Sequence, residues 1–133
     1  MTAIQKLTFA LSCLLIGSSA FANPAPADVP PKAYVVADIR VTDPEGYRDY
    51  LTAISPVVAK YGGNYLARAG RTRPVEGLPP AGRVIIIEFP SFAAAEAFES
   101  SPEALAAFAI RHRTATSRIF VVEGSHAHQA GAK

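Results

Sequence analysis

Asp38, Arg68 and Glu88 are the residues whose types would do chemistry together. Each lies in a short run where apolar and polar residues alternate. A period of two places all three on one sheet face, with Val36, Leu66, Val84 and Ile86. There a carboxylate, Glu88 or Asp38, would act as base, and the planar guanidinium of Arg68 would hold an anionic substrate beside Asp38. The same charges also suit an ion-pair network inside a closed interface, the commoner arrangement.

Arg111-His112-Arg113 closes a helical pattern, where cations suit the negative end of the helix dipole. His112 is a second candidate base, with Arg111 as a further substrate contact; capping the helix is the plainer role for both. Tyr47, Tyr50, Tyr61 and Tyr65 offer phenol donors, Tyr47 foremost, although the spacing of the first two is that of a core stripe. Arg71, Arg73 and Arg83 gather around a proline-rich stretch, either as an anion port or as a solvated loop. His126 and His128 give two metal ligands where a site needs three or four, so no metal is expected. The chain holds no glycine-rich phosphate cradle, Gly-x-Ser-x-Gly elbow or His-Glu-x-x-His helix, and no cofactor is implied.

The elements that would position these residues occupy only part of the 133-residue chain. Lys6, the apolar run Leu7–Ile16 and the small residues Ala20-Phe21-Ala22 read as a signal peptide over residues 1–22, too short to span a membrane. Export to the periplasm or beyond follows, with no membrane association after cleavage. The sole cysteine, Cys13, falls inside that leader, so the mature domain has neither disulfide nor thiolate. Residues 23–32 carry Pro24, Pro26, Pro30 and Pro31, which forbid helix and ladder alike and make an extended tether. With 13 basic against 11 acidic residues, there is no electrostatic case for nucleic acid.

One domain remains, over residues 33–124, with a polar tail at 125–133. Ala33–Val41 reads as a strand. Asp43-Pro44-Glu45 starts a helix, with a side-chain cap, a proline whose missing N–H costs nothing, and an acid in the first turn. That helix runs as an apolar stripe to Tyr61, is bent by Pro56, and stops at Gly62-Gly63. Asn64–Gly70 and Arg83–Phe89 are strands, the second central because of its three isoleucines, with a loop between them. Ser91 caps a further helix, which breaks near Ser100 and restarts at Ser101-Pro102-Glu103. A last strand spans about Ser117–Glu123.

Strand, helix, strand, strand, helix, strand is the α+β order of a ferredoxin-like βαββαβ fold, a four-stranded antiparallel sheet with the helices on one face. Val36, Leu66, Val84 and Ile86 leave the other face too apolar to stay wet, and a second copy is the simplest cover. A homodimer with facing sheets is expected.

The run Tyr34–Tyr50, then Lys60–Gly70, then Val84–Phe92, with Ser101-Pro102-Glu103, Arg111 and Val121–Gly124, resembles the domain-of-unknown-function 1330 family. The resemblance spans roughly Ala33–Gly124 and implies a dimeric α/β barrel. That superfamily includes cofactor-independent monooxygenases, muconolactone-type isomerases and haem-degrading enzymes, whereas this family has no settled activity. Two aromatic positions depart from the family pattern, Ala104 after Ser-Pro-Glu and Phe98 in place of a tryptophan, which would reshape any pocket they line. Three functions stay open: a dimer that binds a small, partly apolar molecule, a cofactor-independent oxygenase or isomerase using Arg68, Glu88 or His112, and a structural or protein-interaction dimer without a ligand.

Overall fold

The computed structural model describes residues 29–125; the signal-peptide reading, most of the tether and the tail with His126 and His128 lie outside them. The described chain runs β1 (Ala33–Val41), α1 (Pro44–Lys60), β2 (Asn64–Arg68), β3 (Arg83–Phe89), α2 (Phe92–Glu99), α3 (Pro102–Thr114) and β4 (Ala115–Glu123). The sheet order is β2-β3-β1-β4, with every neighbouring pair antiparallel. This is the ferredoxin-like arrangement, its second helix divided in two.

Local chemistry sets the element ends. Asp43 accepts from the backbone N–H of Glu45 and Gly46 at 3.2 and 3.1 Å, satisfying donors that the first turn of α1 leaves orphaned. The amides of Thr42 and Asp43 donate to the Thr114 carbonyl at 2.8 and 3.0 Å, which ties the start of α1 to the end of α3. Gly62, at φ +80°, makes the left-handed turn that ends α1. Ser91 and Ser101 cap α2 and α3 by accepting from Ala94 and Ala104 at 3.1 and 3.2 Å. β4 begins at Ala115, two residues before its expected start, because Ala115 and Thr116 still pair with Val41 and Arg40.

The core lies between the helices and one sheet face. Ala33, Val35, Ala37 and Ile39 of β1 and Ile85, Ile87 and Phe89 of β3 are buried there. Phe98 stacks on Phe89 at 5.1 Å and meets Phe108 edge-on at 6.0 Å, locking α2 and α3 onto the sheet. Among the described residues no helix covers the opposite face. Val36, Val84 and Ile86 are only partly buried on it, and Phe120 and Val122 are 50% and 45% exposed.

β2 departs from simple alternation. Tyr65 pairs with Ile87 but Ala67 pairs with Ile86, so Leu66 is an extra residue bulged out of the ladder. One inserted residue reverses the facing of all that follow, and Arg68 therefore pairs with Ile85, on the helix face.

Candidate functional site

The bulge decides which charges meet. Asp38, Arg68 and Glu88 are not brought together, and this corrects the alternation argument. Asp38 and Glu88 remain on the open face, but Asp38 pairs with Val84 and Glu88 with Tyr34, four residues apart along β1. At about 3.4 Å per residue that separation is on the order of 13 Å. Each is engaged elsewhere. Asp38 accepts from the amides of Ala81 and Gly82, both at 2.9 Å, and so fastens the loop that precedes β3. A Cβ on Gly82 would lie 2.1 Å from the Ile39 carbonyl oxygen, so only glycine allows the loop to approach this closely. Glu88 accepts from Lys32 Nζ at 2.7 Å, and this bond raises the Lys32 pKa. The open face does carry a depression of about 220 Å³ around Asp38, Leu78, Pro80, Val84, Arg118 and Phe120, but with Asp38 committed to the loop it lacks convergent polar groups.

Arg68 instead reaches toward α1. Its Nη2 donates to Ser55 Oγ at 2.8 Å, and its guanidinium lies 4.4 Å from the Tyr65 ring centroid. There it meets Tyr47 and Arg111, two other residues singled out by sequence, at a cavity between the sheet and the helices. The apolar wall comes from Val35, Ala37, Ile39, Leu51, Ile54, Ile85 and Ile87 with Phe98 and Phe108; the polar side chains on it are Tyr47, Tyr50, Tyr65, Arg68, Arg83, Arg111 and Glu99. The enclosed volume is about 40 Å³, room for a few water-sized groups. It adjoins a wide groove of about 580 Å³ at the end of the sheet, which shares Ile39, Tyr47, Leu51 and Arg83 with it and adds Arg40 and Arg48.

Arg111 is the most deeply placed cation among the described residues, 6% exposed. Its Nη1 donates to Tyr50 Oη at 3.4 Å, and Nη2 lies 3.5 Å from His112 Nε2, both at the long limit of a hydrogen bond. The Phe108 ring lies 4.2 Å and the Tyr50 ring 5.6 Å from the guanidinium carbon. The Nε of Arg111 is buried without a partner, and so is that of Arg83, whose guanidinium stands 5.5 Å from the Tyr47 ring. The ion pairs formed among the described residues, Lys32–Glu88 and Lys60–Glu103, lie elsewhere.

Burial pushes the Tyr47 phenol up to about 12, with the neighbouring Tyr50 adding to the effect; the two rings lie 5.1 Å apart. Burial also raises Tyr50 and Tyr65. At neutral pH these hydroxyls are donors, not phenolate bases. Glu99 is raised as well, first by burial, with Arg111 pulling in the opposite direction. His112, in contrast, is exposed on the outer side of α3 and does not line the cavity. Among the described residues no group of three or more His, Cys, Asp or Glu is placed to hold a metal. No helix among them is long and apolar enough to cross a membrane.

Glu99 was missed by sequence reasoning, and two other contributors were named there with a plainer role alongside the functional one. Glu99 looks like an ordinary helix-end acid, and Arg83 was grouped with loop cations although it opens β3. Tyr50 was assigned mainly to the core, where it lies, but it also lines the cavity. The Arg83 signal was available, since alternation along β3 sets it on the face of Ile85, Ile87 and Phe89.

The profile of a family described as a domain of unknown function (DUF1330) matches residues 32–125. No sequence among curated proteins matches. Among solved structures, a protein of unknown function from Rhodopseudomonas palustris is similar at 22% identity and a TM-score of 0.56, over 71% of this chain and 83% of that one. SnoaB, a cofactor-independent oxygenase from Streptomyces nogalater, is similar at 13% identity and a TM-score of 0.51, over 74% and 98% respectively. A dimeric ferredoxin-like protein from Thermobifida fusca matches at 19% identity and a TM-score of 0.48, over 70% and 92%. At these identities the first two likenesses establish a shared fold.

Proposed function

We propose, from the premise that this chain belongs to the DUF1330 family of domains of unknown function, that it is an exported homodimer binding a small, partly apolar molecule under the helices of each subunit. One observation carries the ligand reading: Tyr47, Tyr50, Arg68, Arg83, Arg111 and Glu99 converge on a single chamber otherwise walled by aliphatic and aromatic side chains. Polar groups converging within an apolar wall are characteristic of a ligand site, although the enclosed part is well below the roughly 300–1,000 Å³ of a drug-sized pocket. The ligand is therefore small, or its larger part rests in the adjoining groove. Native mass spectrometry of the protein purified from its exporting host tests this directly. A retained mass that leaves on denaturation supports the reading; a bare mass that also takes up no member of a small-molecule panel overturns it.

The homodimer rests on the helix-free sheet face. Val36, Val84, Ile86, Phe120 and Val122 form an apolar surface that a small domain gains by covering. Two copies related by a two-fold axis present the same surface to each other. Sedimentation at micromolar concentration as a single subunit would refute this part. Export rests on Lys6, the apolar run and Ala20-Phe21-Ala22, and sequencing the amino terminus of the secreted product, expected at Asn23, tests it.

A second reading, proton abstraction from a carbon acid as in cofactor-independent oxygenases or isomerases, is favoured by Glu99. A carboxyl with a raised pKa, inside the cavity and near phenol donors, is suitably poised for proton transfer. This moves the candidate base from Glu88 and His112, which stand outside the cavity, to Glu99. Turnover of any substrate later found should fall on Glu99→Gln and survive His112→Ala.

A further inference from the structure

We infer that the chamber under the helices is an anion site, and that its ligand is a small carboxylate whose charged end is taken by Arg111 and Arg83 and whose apolar body lies along Ile39, Tyr47 and Leu51. The inference rests on the reading of this chamber as a ligand site and names the class of ligand.

The argument begins with charge. Three guanidiniums line the chamber, those of Arg68, Arg83 and Arg111, against one carboxyl, Glu99. Among the described residues, neither Arg83 nor Arg111 forms an ion pair. Arginine does not shed its proton on burial as lysine can, so its charge persists inside the protein. Such a charge is tolerated when it is paired and its donors are satisfied. Arg111 is more than nine-tenths buried, makes two contacts at 3.4 and 3.5 Å, and keeps an unpartnered Nε. The Nε of Arg83 is buried and unpartnered in the same way. Two arginines on one chamber wall with spare donors match the fork-like recognition of a planar oxyanion.

Burial raises the one competing acid, Glu99, and so weakens it as an internal counterion. The phenols of Tyr47 and Tyr50 stay protonated and add donors rather than charge. Shape selects the rest of the ligand. About 40 Å³ of enclosed space accommodates a carboxylate head, while the groove sharing Ile39, Tyr47, Leu51 and Arg83 has about 580 Å³ for a tail. Arg40 and Arg48 on the rim of that groove bring a further positive field to the entrance without any acid lining it.

The test compares hexanoate with hexan-1-ol, which shares the chain but lacks the charge. Binding is followed at pH 7 by calorimetry and by the ring resonances of Tyr47 and Tyr50. Hexanoate is expected to bind about tenfold or more tightly than the alcohol, since a charge-assisted pair is worth at least that factor. It should move the Tyr47 and Tyr50 signals, and Arg111→Met should bring the two affinities together. Equal affinities for acid and alcohol in the wild-type protein would overturn the anion assignment while leaving a ligand chamber standing. Hexanoate shifts confined to groups around Arg40 and Arg48 would overturn it too. Binding of neither compound at millimolar concentration would remove the chamber reading and the anion assignment together. The wild-type comparison decides the matter even if Arg111→Met fails to fold.

Discussion

Replacing Arg111 with methionine separates a residue kept for a ligand from one kept for the fold. If Arg111 were a structural cation, its removal would expose unsatisfied partners and cost about 3–5 kcal/mol, the usual penalty for breaking a buried pair. Among the described residues there is no such pair. On the losing side are two cation–π contacts, to Phe108 at 4.2 Å and Tyr50 at 5.6 Å, each worth about 0.5–2 kcal/mol. A favourable position in the last turn of α3 adds about 0.3–1 kcal/mol. The long bond to Tyr50 adds about 1 kcal/mol or less. On the gaining side are the desolvation of a charge that is 6% exposed, an effective several kcal/mol, and the orphaned Nε, about 1–3 kcal/mol. Methionine keeps most of the packing volume. The two sides are of similar size, so Arg111→Met should stay within about 2 kcal/mol of the wild type, a Tm change of no more than roughly 8–16 °C for a domain of this length. The chain has no tryptophan and five tyrosines, so far-UV circular dichroism in urea is the suitable assay. The protein must be free of ligand, because bound ligand stabilises the wild type by mass action. A loss above about 2 kcal/mol would refute the reasoning and make Arg111 a structural residue.

Glu99→Gln should be at least as stable as the wild type at pH 7, with the advantage vanishing in acid. Because burial raises the Glu99 pKa in the folded state, its favourable contribution is present below the unfolded value and is lost as pH rises through the folded one; an advantage that grew toward low pH would reverse this assignment. Phe98→Ala should cost about 3–5 kcal/mol in urea denaturation, since Phe98 is 2% exposed between Phe89 and Phe108, and a loss under about 1 kcal/mol would mean that α2 does not depend on it. Ile86→Glu, in the middle of the helix-free face, should leave the subunit folded but convert the expected dimer to monomer in sedimentation; a dimer of unchanged affinity would place the interface elsewhere.

Most of the architecture was legible because the sequence speaks locally at nearly every boundary. Asp43-Pro44-Glu45, Ser91 and Ser101-Pro102-Glu103 start their helices by the capping chemistry they advertise. Arg83–Phe89 forms a strand as its isoleucine run requires, and Gly62 turns where a left-handed residue was needed. The site was legible only as residue types. Asp38 carries the polarity of a sheet-face acid, but nothing in its neighbourhood announces that Ala81 and Gly82, more than forty residues on, will claim both its oxygens. His112 sits beside Arg111 in sequence, yet one helical step, about 100°, leaves it exposed while Arg111 is buried.

The residue that alternation could not place is Leu66, and its displacement explains why the cavity lies where it does. Counting by two from Asn64 assigns Arg68 to the open face, and only knowledge of the partner strand reveals that Tyr65 and Ala67 oppose successive residues of β3. The bulge has opposite effects on the two faces. It sends an arginine away from the surface proposed for dimerisation, where an unpaired buried charge would oppose association. It also delivers that arginine to the helix side, over Tyr65 and onto Ser55, at the edge of the chamber that holds Arg83 and Arg111. A single inserted residue in an edge strand thus keeps one more charge off the open face and concentrates positive charge beneath the helices. Bulges are used at functional sites to re-aim side chains in this way, and a strict alternation here would weaken both the proposed dimer surface and the anion chamber at once.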